Sequence, residues 1–182
     1  MDASAVDRLR AALSGTGWVE RAASLARSLR TADHDPGGLL LLGTPDDEPW
    51  HLAAHLDDQA RYSQLPQLRP TLVRWSPPAG APAHLAVGFE RLSTVARGQT
   101  LFVVAPHTPP EQLLERVADA RRRGSTVLAL DGADSELAGL AHDALVVPAG
   151  PASPGIDVVG HLLSAAAGTR HARRSRWPRL RT

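Results

Sequence analysis

Cysteine, lysine and asparagine do not occur anywhere in the 182 residues. Without cysteine there is no disulfide, no thiolate nucleophile and no sulfur ligand. Any metal site must then be built from His, Asp, Glu or neutral oxygens. No uncharged apolar run approaches the roughly 20 residues that span a bilayer. The opening stretch MDASAVDRLRAALSG has acids early and no apolar core, unlike a secretory signal. These absences lead to the expectation of a cytoplasmic protein with no membrane attachment. A strong net charge is also missing: the balance is +1, which gives no global attraction to nucleic acid. All 20 basic residues are arginine. Together with abundant Ala, Gly and Pro, this reads as the coding bias of a GC-rich genome.

What is present suits one domain with a substantial core. The chain is 43% hydrophobic and 21% charged, ordinary values for a globular protein. Residues 5–29 have helical spacing through Val6, Leu9, Leu13, Val19, Ala22, Leu25 and Leu29, with a weak point at SGTG. LLLL at 39–42 is a short continuous apolar run between turn signals, which predicts a strand buried on both faces. A helix is expected over 50–65, a strand over 71–75, a loop at SPPAGAP, and a helix over about 84–95. The second half alternates plainly: strand TLFVVA, helix PPEQLLERVADARRRG stopped by Gly124, strand STVLALD, short helix DSELAGLA, strand DALVVPA, and a last helix in SPGIDVVGHLLSAAAG. Strands alternating with helices predict an α/β three-layer sandwich with a five-stranded parallel sheet in flavodoxin-like order, preceded by an N-terminal helix. Sites in such folds lie at the carboxyl ends of the strands. We assign residues 1–169 to this domain and 170–182 to a basic, disordered tail.

The stretch PWHLAAHLDD places His51 and His55 one turn apart on one helix face, followed by Asp57 and Asp58. Spacing alone leaves two readings open, half of a metal site or a solvated surface pair. His34, His84, His142 and His171 carry no pattern and read as surface or capping residues.

RGSTVLALDGADSELAGLAHDALVVPAG, GFERLSTVARGQTLFVV, WHLAAHL and GHLLS occur in this order. They resemble stretches of the SIS (sugar isomerase) domain, specifically the phosphoheptose isomerase subfamily. That subfamily also contains a non-enzymatic partner of the bacterial replication initiator. The resemblance covers about residues 18–168. In phosphoheptose isomerases the zinc is held by the His and Glu of an HFAAEL stretch, and by a Gln and a His that enter the last helix. By resemblance the first His matches His51 and the Glu position is His55. The final His matches His161, and the Gln position falls on Ser153. The implied metal set is His51, His55 and His161, with zinc as the cofactor and Asp57 or Asp58 as outer partners. The Glu is also the family's proton-transferring base. An imidazole bound to zinc is not free for that work, so the change at His55 sets isomerisation in doubt. If the chain is active, His55 and His161 are the catalytic candidates.

The family's two ligand-holding turns match GTPDDEPW after the first strand and APHTPPEQ after the third. The substrate-binding candidates are therefore Gly43, Thr44, His107 and Thr108. Both turns are altered. Asp46, Asp47 and Glu48 would repel a phosphomonoester, or simply stabilise the start of the next helix. Pro109 and Pro110 delete N–H donors where a phosphate would need them. Thr108 is expected as the helix N-cap, Pro109 at the first helical position, and Glu111 as the completion of a capping box.

The expectation is a SIS-type, carbohydrate-derivative-binding protein without isomerase activity. It would act as a homo-oligomeric binding, scaffold or regulatory module, a dimer or tetramer using residues 18–29, with a protein partner. A metal-dependent sugar-phosphate isomerase is the alternative. A third reading gives the tail, RHARRSRWPRLRT, contact with nucleic acid through its arginines and Trp177. Without a folded nucleic-acid motif before it, a solubilising end is the simpler account.

Overall fold

The structure is a computed structural model that describes residues 3–32, 36–133 and 135–169, with side chains from residue 6 onward. His34, His171 and the arginine-rich segment 170–182 lie outside the described residues.

The helices are α1 (Ala3–Ala12), α2 (Trp18–Ala32), α3 (Trp50–Tyr62), α4 (Glu111–Arg122), α5 (Glu136–Leu140) and α6 (Ile156–Gly168). The strands are β1 (Leu39–Leu42), β2 (Thr71–Val73), β3 (Thr100–Ala105), β4 (Thr126–Asp131) and β5 (Asp143–Val146). All five strands are parallel, in the order β2-β1-β3-β4-β5. The expected three-layer α/β/α sandwich and its strand order are both found.

The four leucines of β1 are all buried, because helices cover both faces of the sheet. Successive side chains point to opposite faces. Leu39 and Leu41 join the layer of α2, α3 and α6, packing with Leu25, Leu56 and Leu163. Leu40 and Leu42 join the layer of α4 and α5, with Leu113, Val117 and Leu137. Each such leucine contributes about 1.5–3 kcal/mol through its removal from water. The apolar stripe of α2, Trp18, Ala22, Leu25, Ala26 and Leu29, is buried in this same core. Of the stretch 18–29 expected at an oligomer surface, these five residues pack into the chain's own core. The outward side of α2 carries Val19, Ala23, Arg27 and Arg30.

Two local expectations are corrected. Residues 84–95 do not form one helix; they form two short 3-10 turns, Ala83–Leu85 and Phe89–Thr94. Between them the chain is used as sheet edge: Gly88 bridges in parallel to Arg74, and the Arg74 N–H donates to the Val87 carbonyl at 2.9 Å. That pairing holds the backbone out of a continuous helix. The start of α4 is also later than expected. Its N-cap is Pro110, in extended conformation (φ −66°, ψ 150°), without a side-chain cap bond, so Thr108 does not cap it and Glu111 is its first residue. The proline pair explains the shift, since a residue before proline is driven out of the helical region, which excludes Pro109 from the first turn.

Candidate functional site

A cleft at the carboxyl end of the sheet lies between the N-terminal halves of α3 and α6, above the ends of β3 and β4. It has a volume of about 300 Å³. Val104 and Leu130, from the ends of β3 and β4, form its floor together with Leu52 and Ile156. This is the crevice where the β1 and β3 connections diverge to opposite faces, the place such folds reserve for ligands.

Helical spacing brings its polar side chains together. His51 and His55 come from the first turns of α3, Asp157 and His161 from those of α6, and all four line the cleft. The two helices pack closely at Gly160, where an added Cβ would lie 3.9 Å from Leu52. The His55 and His161 rings meet edge to face, with centroids 4.6 Å apart. Burial, then the neighbouring His161, lowers the pKa of His55 below the usual 6.5. Burial likewise lowers that of His161, with the Asp157 carboxylate acting in the opposite sense. Both imidazoles are thus neutral at physiological pH. The Nδ1 of His161 is buried without a hydrogen-bond partner, an arrangement that costs about 1–3 kcal/mol unless a ligand or water answers it.

The donor set was tested as a metal site. Three histidines line one cleft, but among the described residues no three His, Asp or Glu side chains converge closely enough to hold an ion. As they stand, the rings pack against one another and do not form a cage. Ser153, at the position of the family's Gln, is absent from the cleft wall; its hydroxyl is buried without a partner. Asp57 is engaged elsewhere, accepting from Arg61 and from Arg69 Nε, the latter at 2.7 Å. Asp58 lies with His55 and His161 on a smaller cavity behind the histidine pair.

The four substrate-binding candidates do not face the cleft. Gly43 and Thr44 are buried under the loop that follows them. A Cβ at Gly43 would overlap the Asp47 carbonyl oxygen, and the Gly43 carbonyl accepts from Trp75 Nε1 at 2.9 Å. Glu48 pins that loop to the end of β2, accepting from Arg74 Nε at 3.0 Å and from the Trp75 N–H at 3.3 Å. His107 and Thr108 are exposed beyond the rim, and Pro106 is the part of their turn that reaches the cleft.

Asp47 and Asp157 supply the cleft's unpaired negative charge, Glu48 being paired with Arg74, and among the described residues no arginine lines it. Asp157 was not singled out from the sequence, although D-x-x-x-H at 157–161 repeats the one-turn spacing of His51 and His55. Trp50 was also passed over. It is 39% exposed, holds Arg74 over its ring at 4.7 Å, and separates the cleft from a second, shallower cavity of about 550 Å³ beside Asp46 and Trp75.

No family model matches the sequence, and no curated protein matches it. Solved structures do. The sugar isomerase domain of an RpiR transcription factor from Sphaerobacter thermophilus superposes with a TM-score of 0.53 at 20% identity, over 81% of this chain and 76% of that one. A candidate sugar-phosphate isomerase from Listeria monocytogenes superposes with a TM-score of 0.51 at 13% identity, over 82% of this chain and 73% of that one. The architecture is that of sugar isomerase domains, and identities this low carry the fold alone. No helix among the described residues is long and apolar enough to cross a membrane.

Proposed function

We propose that the chain is a binding module on the sugar isomerase fold. It has given up aldose–ketose isomerisation and takes a small polyhydroxylated ligand without a phosphate group in the α3–α6 cleft. The observation that carries this reading is the charge of the wall: acids at Asp47 and Asp157, with Glu48 already paired to Arg74, no arginine among the described lining residues, and proline at the start of α4. A phosphomonoester there would meet carboxylates and few donors. Neutral His55 and His161 offer both donor and acceptor nitrogens to hydroxyls. Val104, Leu130 and Trp50 suit the apolar faces of a sugar ring. The module acts as a homo-oligomer with a protein partner, in the manner of a scaffold or regulator.

The test is a titration of the protein with matched pairs of sugars and sugar phosphates, followed by tryptophan fluorescence and by a turnover assay. Saturable binding of an unphosphorylated sugar, with no turnover of its phosphate, is expected. Turnover of a sugar phosphate that is abolished by His161→Ala would overturn the reading.

The partnerless Nδ1 of His161 beside His55 favours one other reading, a metal-dependent isomerase using His51, His55 and His161. It requires the rings to turn toward a common ion. Metal content of protein purified without chelator decides it. About one zinc per chain, lost in both His51→Ala and His161→Ala, would support it; absence of metal from folded protein would remove it.

A further inference from the structure

The groove enclosed by α1, α2 and the C-terminal half of α6 holds three arginines over an apolar floor, and we propose that it is a separate binding site for a small organic anion, a phosphate ester or polycarboxylate with an apolar body. The groove has a volume of about 180 Å³. Val19, Ala23, Leu162 and Ala166 form the floor, and Arg10, Arg27 and Arg30 stand around it. Small side chains on facing helices keep the floor open, and no carboxylate lines it among the described residues.

The arginines are unequal in a way that suits an anion. Arg30 is fixed, because its Nη1 donates to the Ala166 carbonyl at 2.9 Å and to the Thr169 carbonyl at 2.8 Å. Those bonds answer the open carbonyls at the end of α6 and hold the guanidinium plane still. Its Nε and Nη2 groups make no hydrogen bond among the described residues. Arg27 sits one turn earlier on the same face and has no side-chain partner among the described residues; Arg30's own burial, and then the charge of Arg27, lower the pKa of Arg30. Arg10 has only a loose pair with Asp7, at 3.5 Å. Like charges gathered at one groove raise the free energy of the empty site, and a multivalent anion relieves it through two-pronged bonds to guanidinium groups. The floor adds a preference for an anion with an apolar flank over a bare inorganic ion.

The groove shares no lining residue with the cleft: Ile156, Asp157, Gly160 and His161 of α6 line the cleft, whereas Leu162, Ala166 and Thr169 line the groove. Isothermal titration with phenyl phosphate and with benzylsuccinate, each against inorganic phosphate and succinate, tests the proposal on the full chain. Saturable binding of at least one aromatic anion is expected, tighter than its inorganic or unsubstituted counterpart and weakened by added salt. Arg10→Gln and Arg27→Gln each weaken it by roughly tenfold or more, while Asp157→Asn in the cleft leaves it unchanged. The arm that binds identifies phosphate ester or carboxylate as the source. Absence of saturable binding in both arms overturns the proposal, as does binding that survives in the Arg10→Gln and Arg27→Gln variants. Neither result bears on the sugar titration at the cleft, so the two readings fail separately.

Discussion

The two halves of α6 sit in opposite electrostatic surroundings. Its first turns face Asp47, Glu48, His51 and His55 across the cleft, while its last turns face Arg10, Arg27 and Arg30 across the groove. A formal charge of +1 conceals this separation. The arrangement runs with the helix dipole at both ends, since Asp157 lies in the first turn and Arg30 binds the last carbonyls. Charge placed for helix stability therefore also separates the two cavities by sign, acids at the cleft and cations at the groove.

The comparison is broken most completely by loosening α6 itself. Leu163 is fully buried against α2, α3 and the sheet. Leu163→Ala is expected to cost about 2–5 kcal/mol, seen as a fall in the urea midpoint, with both ligand sites lost together. A midpoint shifted by less than a few tenths would mean that α6 does not depend on this layer. Arg30→Met acts on one end only. It keeps the apolar stem but removes two hydrogen bonds to the end of α6, an expected loss of about 1–3 kcal/mol. Faster amide exchange confined to residues near 166–169 would check it.

The acidic end has a pH signature. His55 and His161 have folded-state pKa values below 6.5, so between those values and 6.5 the unfolded chain binds more protons than the folded one. Stability then falls as pH drops through 6.5, and the loss stops growing below the folded values. Urea midpoints measured from pH 7.5 to 5.5 should decline. The double variant His55→Gln/His161→Gln should flatten the decline, and an unchanged slope would place its origin elsewhere.

The sheet was legible in the sequence because its signals are local and redundant. LLLL can only be buried on both faces, and TLFVVA and STVLALD are each followed by a helix whose stop is written in glycine or in polar residues. Two misreadings share a cause, a neighbour that composition does not display. GFERLSTV has passable helical spacing, but Arg74 claims the backbone at Val87 and Gly88. Thr108 followed by Pro109 resembles a cap, and the second proline cancels it. Resemblance led to His51, His55 and His161, which do line one cleft, yet it also put forward Gly43, Thr44, His107 and Thr108, which do not. Which side of a turn faces a ligand depends on how the loop is tied down. The ties, Glu48 to Arg74 and Trp75 to Gly43, span 26 and 32 residues. The arginine groove was invisible for the same reason, since it joins α6 to two helices at the other end of the chain.

The smallest expected effect sharpens the comparison most. Asp157 is the carboxylate that works against burial at His161, raising a pKa that burial and His51 lower. It lies one turn before His161 on the same helix, so the interaction needs no rearrangement of the fold. Asp157→Asn removes the charge and keeps the shape. The His161 pKa should fall further below 6.5, followed by the imidazole proton resonances across a pH titration. Binding of an unphosphorylated sugar should change little, because the neutral imidazole remains the dominant form. If the His161 resonance does not move, the two side chains are not in electrical contact. The acidity of the cleft would then rest on the loop residues Asp47 and Glu48, the latter already committed to Arg74.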